Sequence, residues 1–209
     1  MNEILSLKRK GLESHIRATF PNFELINKQE STLMRCLSKL LFFNKKFMTN
    51  FVTVIGNKVY VPTLPWNEDN PYGACEVLSH EFVHMRDGQA LGVLFKFLYL
   101  CPQILALLSV FAVWNPWWLL CLVFLLPIPA PFRAYFEFRA YVVSMAVRWW
   151  LLSNKTDPQY YLKQFTTGNY YWMFPFEKVL HKKFEQEFER IQADDLKPHE
   201  EEIKKALKV

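Results

Sequence analysis

Paired cysteines are missing from this chain. Its four cysteines, Cys36, Cys75, Cys101 and Cys121, show neither C-x-x-C nor any other paired spacing, and two of them lie in the most apolar stretch. That pattern argues against a disulfide framework and against a cysteine-based zinc site. Dense basic runs are missing too. The net charge of +5 is mild, and Lys8-Arg9-Lys10 and Lys182-Lys183 are the only tight clusters, so no nucleic-acid footprint is expected. Those clusters read first as solvated faces and second as contacts with anionic lipid. Met1 to Leu5 begins an amphipathic helix and carries no apolar signal-peptide core, so nothing is expected to direct the N-terminal half across a membrane. At 209 residues and 24.9 kDa the chain suits one domain plus an insertion, with 51% hydrophobic content to fill a core.

Charge disappears altogether over one long segment. From Leu91 to Phe132 only Lys96 is charged, a stretch too long and too apolar for one buried helix of a small domain. It reads as two membrane segments, about Leu91 to Val113 and a marginal one from Trp117 to Pro131. Asn115-Pro116 marks a turn between them, beside the interfacial aromatics Trp114, Trp117 and Trp118. Pro127, Pro129 and Pro131 shorten the second arm, which keeps a re-entrant or monotopic hairpin open, as well as an apolar hairpin buried in protein. Two crossings would return the chain to the side it left. The loop Trp114 to Trp117 is uncharged while Arg86, Lys96, Arg133, Arg139 and Arg148 flank the outer ends, so the positive-inside rule puts the outer face in the cytoplasm.

Histidine is scarce as well, at five in the whole chain, yet two of the five form His80-Glu81-Phe82-Val83-His84. The run Ala74 to Ser79, without Pro or Gly, follows the turn signal Asn70-Pro71-Tyr72-Gly73 and leads helically into it. Residues four apart on a helix share a face. His80 and His84 can therefore offer two imidazole nitrogens to one tetrahedral metal, with Glu81 beside the bound water as general base. The bland alternative is an amphipathic helix with two half-buried histidines. Downstream, Arg133 to Leu152 has a helical pattern that sets Ala134, Glu137, Ala140, Tyr141 and Ser144 on one stripe. Small residues on both sides of the carboxylate would let this helix approach another and bring Glu137 to a metal; a snorkelling glutamate at the interface is the alternative.

The remaining segments read as supports. Residues 2–18 and 31–43 look like amphipathic helices, the second carrying Leu33, Met34, Cys36, Leu37, Leu40 and Leu41. Phe51 to Pro62 holds two β-rich runs around Gly56-Asn57, a hairpin signal. Pro62 and Pro65 suggest that the second run is an edge strand. Val59, Tyr60 and Val61 would then bind an extended peptide by main-chain hydrogen bonds, and a purely structural hairpin stays equally open. Phe176, Leu180, Phe184, Phe188 and Ile191 form an apolar stripe on a charged helix, and the tail from Glu200 to Lys208 reads as solvated or loosely helical.

Over roughly residues 74–150 the arrangement resembles the gluzincin metallopeptidases, in particular the membrane-embedded HtpX-like and CaaX-prenyl-protease type. In these, H-E-x-x-H is followed by a membrane hairpin and a helix carrying an E-x-x-A-D-like motif. The matching residues are His80, Glu81, His84 and Glu137-Phe138-Arg139-Ala140-Tyr141. The resemblance implies one Zn2+ held by His80, His84 and Glu137, with Glu81 as catalytic base for peptide hydrolysis. It also implies an α+β, mainly α-helical fold: a small zincin-like catalytic domain with a short β-hairpin, interrupted by a hydrophobic helical hairpin in the membrane.

The expected divisions are residues 1–90, the insertion 91–131, the third-ligand part 132–192 and a charged tail 193–209. Expected partners are the lipid bilayer and a peptide or membrane-protein substrate. The chain departs from the family at Tyr141, where an acid is usual, and in lacking the N-terminal membrane helices of larger members. Asp87, one turn beyond His84, is the candidate to orient an imidazole. Tyr141, Tyr170, Tyr171 and His181 are candidate oxyanion donors, and the run Tyr170 to Phe174 reads equally as an interfacial belt. The alternative function is a zinc-binding, proteolytically inactive membrane scaffold, motivated by Tyr141.

Overall fold

The structure is a computed structural model that describes residues 2–40, 45–62, 70–126, 128–153, 158–167 and 173–208. It is mainly helical with one small sheet, an α+β arrangement. The first helix, α1 (Asn2–Thr19), buries Leu5, Arg9, Leu12 and Ile16, positions spaced by four, three and four that make one stripe. The strand β1 (Glu24–Asn27) and helices α2 (Thr32–Leu40) and α3 (Phe47–Asn50) come next. The expected hairpin is present as β2 (Thr53–Ile55) and β3 (Lys58–Val61), paired antiparallel around Gly56, whose φ of +63° suits glycine.

The expectation that the second run is an edge strand fails. The sheet order is β1-β3-β2, and β1 pairs with β3 in parallel register, Glu24 opposite Lys58 and Asn27 opposite Val61. Both edges of β3 are therefore used. Val59 and Val61 are fully buried and Tyr60 nearly so, which removes these three residues as a main-chain receptor for an extended peptide. Pro65 lies outside the described residues.

Helix α4 (Pro71–Leu91) starts where the turn signal placed it. Asn70 caps it by accepting from the Gly73 amide, and Pro71 fills the first turn, where its missing N–H costs nothing. It ends at Gly92, whose φ of +57° breaks the helix. A short apolar helix, α5 (Val93–Leu100), succeeds it directly. Two 3-10 arms, Gln103–Val113 and Pro116–Leu125, then pack against each other as a hairpin with the Asn115-Pro116 turn at its tip. No single helix among the described residues is long and apolar enough to cross a membrane; α5 and the first arm reach that measure only together, bent by 89°.

The chain returns in α6 (Pro131–Leu152), then α7 (Pro158–Thr166), α8 (Glu177–Gln192) and α9 (Pro198–Leu207). Helix α6 has two buried faces. Ala140, Val143 and Val147 join α1, α4, β3 and α9 in one core, while Val142, Met145 and Ala146 join α7 and α8 in another. Its small residues permit close contact with α4. In α8 the apolar stripe is Leu180, Phe184, Phe188 and Ile191, all buried; Phe176 precedes the helix and is exposed.

The tail corrects a second expectation. Residues 198–207 form α9, which docks on α1 and α6 with Ile203 and Leu207 fully buried. Its charges are used internally: Glu200 pairs with Arg190, and Glu202 with His15 and Arg86. Charge density alone hid the two apolar residues, four apart, that bind the helix down.

Candidate metal centre

Helix α4 presents His80 and His84 one turn apart, with Nε2 atoms 3.2 Å from each other. Across the α4–α6 contact, Glu137 sets Oε2 at 3.4 Å from His80 Nε2 and Oε1 at 3.5 Å from His84 Nε2. The three side chains are 9%, 8% and 1% exposed. Ligands arranged tetrahedrally at about 2.0–2.1 Å from zinc lie about 3.3 Å from one another; the two Nε2 atoms are at that spacing, each imidazole is at a similar distance from one of the two Glu137 oxygens, and one ligand atom per residue fits within 4.8 Å of the others. Glu137 Oε2 and His84 Nδ1 are buried without a hydrogen-bond partner, a costly arrangement for a carboxylate unless a cation completes it. Two imidazoles and a carboxylate are also the donor set zinc takes at sites that keep one position open. The residues therefore fit such an ion.

The electrostatics arise from the same closeness. Burial pushes the Glu137 carboxyl up, but the two imidazoles outweigh it and hold the group far below the usual carboxylate range. Burial pulls His84 down, and the Glu137 carboxylate outweighs that and raises it. Glu81 is raised, first by burial and then by Glu137, against the pull of His80, His84 and Lys28. Part of its surface still meets solvent. A carboxyl with raised pKa beside three side chains that could hold a cation is placed to exchange protons.

The surroundings differ from expectation in instructive ways. Ser144 donates to the Ala140 carbonyl at 3.3 Å and places its oxygen 3.4 Å from His80 Nδ1. That oxygen accepts from an Nδ1–H tautomer, which leaves Nε2 free as a ligand. Asp87 does not orient an imidazole. Its Oδ1 accepts from Arg139 at 2.6 Å, and Arg139 also reaches His199 Nε2 at 3.0 Å. Tyr141 sits beside the centre, its ring edge-on to His80 at 4.5 Å between centroids. His181 belongs elsewhere: it pairs with Glu185 at 3.2 Å and lines a shallow surface depression with Gln159 and Phe176. Tyr170 and Tyr171 lie outside the described residues, as does most of the aromatic run they begin.

Tyr99, on α5, is the residue sequence reasoning missed. Its hydroxyl donates to Glu137 Oε1, its ring meets His84 edge to face, and Arg133 Nε holds its carbonyl at 2.9 Å. The one available signal was a phenol within an otherwise apolar run, since a buried Tyr hydroxyl usually finds a partner. No protein family, curated protein or solved structure matches this chain.

Proposed function

We propose that the chain is a membrane-bound, zinc-dependent endopeptidase whose catalytic face is cytoplasmic. The observation that carries this reading is the convergence of His80, His84 and Glu137, which bring one ligand atom each to within 4.8 Å of one another, the two imidazole Nε2 atoms 3.2 Å apart and each 3.4–3.5 Å from its own oxygen of the Glu137 carboxylate. His80, His84 and Glu137 would hold a zinc ion, which would supply Lewis acidity toward a peptide carbonyl and make water a better nucleophile near neutral pH. Glu81 accepts a proton from the attacking water and delivers it to the leaving amine. Ser144 stands 3.4 Å from Nδ1 of His80, where its oxygen would accept from the tautomer that presents a bare Nε2 to the site, and Tyr99 holds one oxygen of Glu137. Membrane attachment is supported by the uncharged stretch between Lys96 and Arg133 and by its exposed apolar side chains, Val113 at 84%, Trp114 at 77% and Trp117 at 75%.

The test is metal analysis of protein purified without added zinc, set beside a His80→Ala variant, with peptide hydrolysis measured in parallel. About one zinc per chain in the native protein and little in the variant is expected. Glu81→Gln should keep the zinc and lose about two to four orders of magnitude in kcat. Equal metal in native protein and His80→Ala would overturn the metal centre. Bound zinc without cleavage would leave the inactive scaffold suggested by Tyr141.

A further inference from the structure

Helix α5 has two chemically distinct sides. Val93, Leu94, Phe97 and Leu100 fall on one side and are 80%, 52%, 44% and 46% exposed. Phe95 and Tyr99, one turn apart on the opposite side, rest on the centre: Phe95 packs edge-on to Phe136 at 4.9 Å and beside His84 at 6.2 Å, and Tyr99 bonds Glu137. Only one helix thickness, roughly 10 Å, thus separates the metal ligands from a bare apolar face.

We propose that α5 lies flat in the headgroup–acyl boundary of the cytoplasmic leaflet, so that lipid seats its outer side and forms one wall of the site. This rests on the membrane part of the function proposed above and is independent of the metal. Three features favour lipid as the occupant. The bend of 89° between α5 and the first arm means that the two cannot share a bilayer normal; with the arms upright, α5 lies in the membrane plane. At about 2.0 Å per residue the arms extend roughly 20 Å, and their surface carries no charge at all, as a lipid-facing hairpin requires. Lys96, the one charge on α5, is exposed at the border of its apolar side, where a lysine can bury its stem and send its ammonium to phosphate. The substrate class that reaches a site so placed is a polypeptide segment lying on, or leaving, the bilayer surface.

Depth-dependent quenching decides this. In the full chain with Cys36, Cys101 and Cys121 replaced by alanine, an environment-sensitive fluorophore is attached at Val93→Cys, Phe97→Cys, Val110→Cys or Ile4→Cys. Each variant is reconstituted in phosphatidylcholine–phosphatidylglycerol vesicles, and circular dichroism confirms that it is folded. The lipids carry a nitroxide near the headgroup or near the acyl terminus. Positions 93 and 97 should be quenched at least twofold more by the shallow nitroxide, and position 110 more by the deep one. Position 4, an exposed apolar residue on the charged helix α1, should respond to neither. Deep quenching at 93 and 97 would mean that α5 straightens into a span, and no quenching there would mean that protein, such as a second copy, covers the face; either result overturns the proposal. His80→Ala should give the same pattern, so a failure of the metal reading is scored separately.

Discussion

A carboxylate proposed as a metal ligand is oriented by whatever holds its other oxygen, and at Glu137 that group is Tyr99. Partners of ligand side chains typically contribute 10–100-fold to metal affinity. Tyr99→Phe keeps the ring against His84 and removes only the hydroxyl, so about a tenfold weaker zinc affinity is expected in a chelator competition, with circular dichroism unchanged. An unchanged affinity would show that the phenol does not orient the ligand. The histidine pair was readable because its spacing of four is local and obeys the helix period. Glu137 was readable because the small residues around it announce a close helix contact. Tyr99 was not, because its partner lies 38 residues away and its only local mark, a phenol in an apolar run, does not say which group it meets. Asp87 was misread for a related reason: periodicity put it on the correct face, but Arg139, from another helix, competes for its carboxylate.

Between elements, one buried cation fastens the sheet to helix α3 and the residue just beyond it. Lys28, next after β1, is fully buried; its Nζ donates to the carbonyls of Phe47 and Phe51, each at 2.8 Å, and sits 3.9 Å from the Phe47 ring centroid. Burial lowers its pKa to about 8, against the opposing pull of Glu81. The unfolded chain keeps this proton up to about pH 10.5. Between those values the unfolded state therefore binds more protons, and stability rises with pH. The shift corresponds to about 3 kcal/mol at most. Lys28→Met removes the titration, so the difference in unfolding free energy between native protein and variant should move in favour of the native protein as pH goes from 8 to 10.5. A difference that stays flat would contradict the buried ammonium. None of this was legible beforehand, because the parallel pairing of β1 with β3 joins segments 34 residues apart and a four-residue strand leaves almost no periodic trace. The hairpin β2–β3 was legible because its turn is local, yet its edge status depends on the distant strand.

The molecule as a whole is closed by its last described helix, α9, whose polar contacts lead toward the proposed metal centre. His199 accepts from Arg139, Arg139 holds Asp87, and Asp87 acts on His84 through space. On the same helix Glu202 joins His15 and Arg86. Burial lowers the pKa of His199, and the Arg139 guanidinium lowers it further, against Asp87 and Glu202. Because the folded value lies below the ordinary value of about 6.5, the contribution of neutral His199 is complete above that pH. It is lost as pH falls through the window down to the folded value, where the unfolded state binds the extra proton. The added charge would face Arg139 directly, so α9 should loosen on acidification. Native protein should then lose amide protection in residues 198–207 as pH falls from about 7 toward 5, and His199→Gln, which still accepts from Arg139 but does not titrate, should lose less. Burial of Ile203 and Leu207 sets the cost of complete release, about 3–6 kcal/mol together. Deleting residues 193–209 should accordingly lower Tm by on the order of 10 °C. Equal loss of protection in native protein and His199→Gln would place the pH sensitivity elsewhere. An unchanged Tm in the truncated chain would mean that the tail is a passenger and not the clamp its two buried side chains describe.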